Sequence, residues 1–136
     1  MYEHFEHTAD LGLRIRAASR EELYAEAGLA LTAALVGSPD AVRPARRRTI
    51  RLDPAEPDDL LHDWLAELLY LFETERLLFS RFDVSLPSGG LEAAAWGETA
   101  DPARHEVETE IKAITYHGLK LEQCTGGWLA EVIVDL

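Results

Sequence analysis

Cysteine is almost missing from this chain: Cys124 stands alone among 136 residues. A lone thiol closes no internal disulfide and anchors no cysteine-rich zinc cluster, which agrees with a reducing compartment and leaves packing as its expected role. Long apolar runs are missing too, although 47% of the residues are hydrophobic, so no segment suits a transmembrane helix and no membrane association is expected. Residues 1–7 carry acids and histidines where a targeting leader would set a basic stretch before an apolar one, so a cytoplasmic location is expected. Cations are scarce as well, with 13 Lys and Arg against 25 Asp and Glu and a formal net charge of −12. Nucleic-acid binders gain affinity by neutralising phosphates with Lys and Arg, so strong direct nucleic-acid binding is not expected. The exception is Arg43, Arg46, Arg47, Arg48 and Arg51, five of the thirteen cations within nine residues. They read as a solvated strand edge whose charges discourage edge pairing.

The motifs of several large enzyme classes are also missing. The sequence holds no GxxxxGK[ST], no GxGxxG, no HExxH and no GxSxG, so any chemistry has to come from scattered residues. No internal repeat, low-complexity tract or Gly/Ser linker divides the chain, and a single domain over 1–136 is expected.

The apolar pattern predicts an α+β fold. Leu13, Ile15 and Ala17 recur with a period of two, a strand with one buried face. Ser19 followed by Glu22 has capping-box spacing, and Leu23, Ala27, Leu31, Ala34 and Leu35 then recur three or four apart as a helix stripe. Gly37 and Pro39 stop that helix. After a strand at 49–52, Asp58 or Asp59 is expected to cap a second helix with Leu60, Leu61, Trp64, Leu65, Leu68, Leu69 and Phe72 on its apolar face. Asp58, Asp59 and Asp63 early in it, with Arg76 at its far end, suit the helix dipole. Strands are expected at 79–86, 91–97, 107–116 and 128–135, with a turn at 87–90. Both helices should pack on one face of a mostly antiparallel or mixed sheet.

Two places hold unusual polar residues. Near the start stand Glu3, His4, Glu6, His7 and Asp10, and in a strand through His4 to His7 the side chains of Phe5 and His7 share a face, expected to point inward. For His7 the ordinary reading is a core histidine with satisfied hydrogen bonds. Asp10, just before Leu11-Gly12, reads as a turn residue capping local N–H groups. At the other end an apolar strand, Val132-Ile133-Val134, finishes on Asp135 and Leu136. Carboxylates and carbonyl oxygens crowded there suit a hard divalent cation, against the plain alternative of a solvated terminus. Adjacent terminal strands in one sheet would bring Asp10 to Asp135, but spacing alone does not establish it.

Four ordered stretches resemble the archease family: HTADLG at 7–12, DLLHDWLAELLYLFETE at 59–75, KAITYHGLKLE at 112–122 and GWLAEVIVDL at 127–136. The resemblance runs over nearly the whole chain. It implies an α+β protein that is not itself a catalyst but assists an RtcB-type RNA ligase, a GTP- and divalent-metal-dependent enzyme of tRNA splicing and RNA repair. The assistance promotes guanylylation and repeated turnover. The resemblance further implies a divalent metal ion near the two chain ends, calcium being the ion expected in a structure. Its ligands carry over as Asp10, the acid of the HTAD motif, Asp135, the penultimate acid, and Leu136, through main-chain or terminal carboxylate oxygen. Lys112, which opens KAITYHG, becomes a candidate contact for ligase activation, against an ordinary exposed strand lysine. His117-Gly118 reads as a turn in which glycine allows a positive φ, with Tyr116 packing beside it. Two other classes compete: a small metal-dependent hydrolase using His7, Asp10 and Asp135, and a chaperone-like module for RNA-modifying proteins in which the helix faces matter and the acids are incidental.

Overall fold

The computed structural model describes residues 1–7 and 10–136, His7 by its backbone alone. The element order is β1 (Tyr2–His7), β2 (Asp10–Ala17), α1 (Arg20–Val36), β3 (Arg46–Leu52), α2 (Pro57–Glu75), β4 (Leu77–Ser85), β5 (Leu91–Thr99), β6 (Ala113–Ile114), β7 (Lys120–Cys124) and β8 (Gly127–Asp135). The α+β class with two helices is the expected one, and every strand pairing is antiparallel. The strands divide between two sheets. The larger runs β1-β2-β8-β6 with β7 also on β8, and the smaller runs β3-β5-β4.

The division explains why α1 is buried almost all round and not along a single stripe. It packs on β1 and β2 of the larger sheet and on β4 of the smaller, so Tyr24, Gly28, Ala30, Thr32 and Ala33 are buried along with the predicted leucines and alanines. Ser19 caps it as its spacing predicts, its hydroxyl accepting from Glu22 N–H, and Gly37 ends it at φ 87°. Gly28 leaves room for the Phe82 ring, against which any Cβ would collide. Helix α2 shows the predicted one-sided face, with Leu60, Leu61, Trp64, Leu65, Leu68, Leu69 and Phe72 all buried. Its cap differs from expectation: Glu56 occupies the N-cap without a side-chain bond and Pro57 opens the helix, so Asp58 and Asp59 lie inside the first turn. Proline's fixed φ and missing N–H suit that first position. The helices are tied by Trp64 Nε1–H donating to Tyr24 O at 2.8 Å, and by the Tyr24 hydroxyl donating to Pro57 O at 2.9 Å.

Other expectations need correction. Of the strand expected at 107–116 only Ala113–Ile114 pairs in a ladder. The rest is pinned piecemeal, by Glu108 N–H to Leu35 O, Lys112 N–H to Asp135 O and Thr115 N–H to Ile133 O. Strand β7 was not expected; it forms a hairpin with β8 that places Cys124 on the surface, not in packing. Phe5 faces outward: its ring lies over Gly12 and carries the Arg14 guanidinium 4.6 Å from its centroid. The helix-facing side of that strand carries Tyr2, packed against the core opposite Ile15, and the exposed His4, opposite Leu13; His4 Nε2 donates to Ala30 O at 3.1 Å. The expectation for the His7 side chain, like Thr8 and Ala9 of the HTADLG stretch, falls outside the described residues. Strand β3 is an edge strand exposing its arginines, as read from the sequence.

Candidate metal centre

Strand β2 begins at Asp10 and β8 ends at Asp135, and these two residues are direct partners in the ladder. Opposed positions on neighbouring strands set side chains on the same face with Cβ atoms about 5 Å apart, so the two carboxylates share one spot. The reason lies in the apolar alternation: Leu13 and Ile15 of β2, and Val132 and Val134 of β8, are fully buried on the inner face. A slip of one residue would expose all four, so the register that buries them also fixes Asp10 against Asp135. Asp10 is thus the first residue of a strand, paired also with His7 of β1. On its other side Asp135 is partnered by Ala113, and its carbonyl accepts Lys112 N–H at 2.8 Å. Leu136 follows, partly exposed.

This donor set fits a hard divalent cation. Two carboxylates of like charge facing each other across strands repel, and a cation relieves that while taking further oxygens from main chain or a terminal carboxylate. Among the described residues no group of three or more His, Cys, Asp or Glu side chains is gathered for a metal.

Lys112 has an exposed side chain at an open groove of about 640 Å3 lined also by Phe72, Glu73, Arg76, Val107 and Glu110. Its backbone is tied to Asp135, so the groove and the acid pair share one segment of chain. His62, which sequence reasoning passed over, and Tyr116, read there as a packing residue, complete this side. His62 of α2 stacks on Tyr116, ring centroids 3.9 Å apart at 15°, while its Nε2 donates to Ile114 O at 3.1 Å. Their signal was present, since both stand inside the stretches that carry the family resemblance. Desolvation raises the Tyr116 hydroxyl above its ordinary range, with the negative charges of Asp63 and Asp59 adding to it. The start of α2 therefore extends the acidic field over the motif at 112–122. Gly118 takes φ 64°, the positive value its turn was expected to need.

A second polar cluster is structural. His105, buried, accepts Asp101 N–H at Nδ1 (2.8 Å), so Nε2 carries the proton and reaches Ala41 O at 3.0 Å and Glu98 Oε2 at 3.1 Å. Glu98 also accepts from Arg104 and from Arg43 N–H. These partners, the Arg104 guanidinium first, hold the Glu98 carboxyl down at about 2. The cluster ties the loop after β5 to the segment before β3.

Comparison with known proteins places the whole arrangement. Residues 2–136 match the model of the archease protein family (MTH1598/TM1083). Protein archease of Methanopyrus kandleri is 40% identical over 99% of both chains, and that of Pyrococcus abyssi is 36% identical over 99% of this chain and 98% of its own. The solution structure of Methanobacterium thermoautotrophicum protein 1598 is 33% identical and superposes with a TM-score of 0.82 over 99% of this chain and 98% of that one. A Thermotoga maritima structure described as an archease and possible chaperone has the same fold, at TM-score 0.63 and 24% identity over 100% and 98% of the two chains. With its fold and its full-length relatives in agreement, the chain belongs to the archease protein family.

Proposed function

We propose that this chain is a non-catalytic activator of an RtcB-type, GTP-dependent RNA ligase, promoting its guanylylation and multiple turnover in tRNA splicing and RNA repair. The observation that carries the reading is the direct pairing of Asp10 with Asp135 in a member of this family. Asp10, Asp135 and a Leu136 oxygen would hold a divalent cation, calcium being a fitting ion for all-oxygen ligands. Such an ion, when bound, supplies concentrated positive charge for nucleotide phosphates. The protein's own part is to present those oxygens on a rigid strand end and to keep Lys112 beside them, its ammonium able to meet a phosphate as a point charge. A net charge of −12 suits a partner whose RNA-holding surface is positive.

The test is multiple-turnover ligation by the cognate ligase at limiting enzyme with GTP and metal. Wild-type chain should accelerate turnover, Asp10→Ala and Asp135→Ala should fail while staying folded, and Lys112→Ala should be impaired. No acceleration by the wild type would overturn the reading. Turnover of a substrate by the isolated chain would favour a small metal-dependent hydrolase, and full activity of Asp10→Ala would favour a chaperone-like module.

A further inference from the structure

The outer face of the smaller sheet carries chemistry that neither the fold nor the acid pair uses. Trp96 on the central strand β5 is directly opposite Arg47 on β3 and directly opposite Arg81 on β4, so one row crosses all three strands. Both guanidinium groups lie over the indole, Arg81 at 4.4 Å and Arg47 at 5.9 Å from the ring centroid. The row is built by a local irregularity. The register shifts between Phe79 and Arg81, which leaves Ser80 out of the ladder and brings Arg81 opposite Trp96. Gly97 makes the shift feasible, because a Cβ there would overlap the Leu78 carbonyl. Bulges of this kind re-aim a side chain.

Around the row Arg47, Thr49, Arg81, Asp83 and Ser85 are exposed and Trp96 is half-buried. Among the described residues the arginine ion pairs of β3 are Arg51 with Glu92 at 3.6 Å and Arg48 with Glu75 at 2.8 Å; Arg47 and Arg81 enter none. Arg47 donates one N–H to Thr49 Oγ1 at 3.4 Å, and the other outer N–H groups are open to an anion while both guanidinium groups lie over the indole. Strand β3 belongs to the stretch from Arg43 to Arg51, where a strongly acidic chain concentrates its arginines in sequence.

We infer that the Arg47–Trp96–Arg81 row is a contact site for a single strand of RNA, the guanidinium N–H groups taking phosphates and the stacked planes taking bases. A flat aromatic and guanidinium surface is what distinguishes this patch from a plain anion site, since bases stack on such planes and carboxylate side chains do not. The overall charge of −12 keeps the contact weak and does not abolish it: at physiological salt the screening length is about 8 Å, so a strand lying on the row feels Arg47 and Arg81, with Asp83 and the Arg51-paired Glu92 beside them, more than the distant acids. The inference does not rest on ligase activation and qualifies the expectation drawn from net charge alone.

The test is fluorescence anisotropy of a labelled single-stranded oligoadenylate of about 12 nucleotides, within the site sizes usual for such surfaces, titrated with the full chain at several salt concentrations. Wild type should bind with Kd between about 10^-4 and 10^-6 M at physiological salt and more tightly at low salt. Arg47→Glu with Arg81→Glu should weaken binding by roughly tenfold or more and make the salt slope shallower by about 1.4, two phosphates at about 0.7 each. Arg47→Lys with Arg81→Lys should keep the slope and still lose affinity on the order of tenfold through lost stacking. Lys120→Glu, on β7 of the other sheet, should bind as wild type. The inference is overturned by absence of wild-type binding, by a lysine pair as tight as wild type, by a Lys120→Glu loss equal to that of the glutamate pair, or by oligoglutamate competing as well as RNA.

Discussion

Asp10 and Asp135 carry like charge at directly opposed strand positions, and like charges so placed disfavour the fold. In metal-free buffer Asp135→Asn should therefore stabilise the fold by about 0.2–1 kcal/mol. Added calcium should raise the unfolding temperature of wild type, by the equivalent of about 2.7 kcal/mol at a hundredfold excess over Kd, and leave the variant unmoved. Equal responses of the two proteins in thermal unfolding with and without chelator would remove the acid pair as a metal site. Glu98 gives a separate prediction. Its carboxyl is held at about 2 against an ordinary 4.5, so its contribution is complete above pH 4.5 and is lost as pH falls through about 2. Glu98→Gln should be less stable than wild type at neutral pH, and the difference, followed by denaturant unfolding, should close between those two values. A difference that stays constant down to pH 2 would mean that the Arg104 and Arg43 contacts contribute nothing.

Strand β5 shows how one residue conditions an element. Gly97 sits where the Leu78 carbonyl approaches the backbone across the β4 bulge, and no side chain fits between them. Gly97→Ala should destabilise by about 1–3 kcal/mol, as overpacking at a closed site does, and should disturb the Arg81–Trp96 contact, seen as a change in indole fluorescence or near-UV dichroism. An alanine variant of wild-type stability would show that the bulge relaxes freely. The two helices make the complementary point. Helix α1 is sandwiched between sheets and, beyond its exposed Glu21 and Glu22, buried almost all round, whereas α2 buries one face and leaves Asp63 and Tyr70 to solvent, which is why the one-sided pattern read from the sequence describes α2 and understates the burial of α1.

Charge is segregated over the molecule as a whole. Acids dominate the start of α2 and the Asp10–Asp135 end, while arginines gather on β3 and β4 of the smaller sheet. A partner with a positive surface is thereby steered toward the acidic end at long range. The concentration of chain giving half-maximal ligase stimulation should rise as salt is raised from low to physiological levels, and a response indifferent to salt would remove electrostatic steering from the account. Among the described residues no helix is long and apolar enough to cross a bilayer, in keeping with the apolar pattern of the sequence.

Much of this was legible in the residues. The Ser19–Glu22 spacing, the stripe from Leu60 to Phe72 and the alternation around Leu13 and Val132 specify α1, α2, β2 and β8, because periodicity and capping are local properties of the chain. The candidate site was legible only through family resemblance: Asp10 looked like a turn residue, Asp135 a chain end, and 125 residues separate them. What joins them is the β2–β8 register, set by burial of apolar residues further along both strands. The same holds where local reading failed. Residues 107–116 have strand composition but spend their backbone bonds on Leu35, Asp135 and Ile133. Phe5 has core composition but sits on the outer face because Gly12 offers its ring a seat there. The Arg47–Trp96–Arg81 row depends on a bulge no period announces. Sequence by itself determined both helices and most strands, the acidic balance and the family; tertiary structure decided β7, the fate of residues 107–116 and which distant residues meet, because long-range pairing is chosen by the burial of the whole core and not by any one segment.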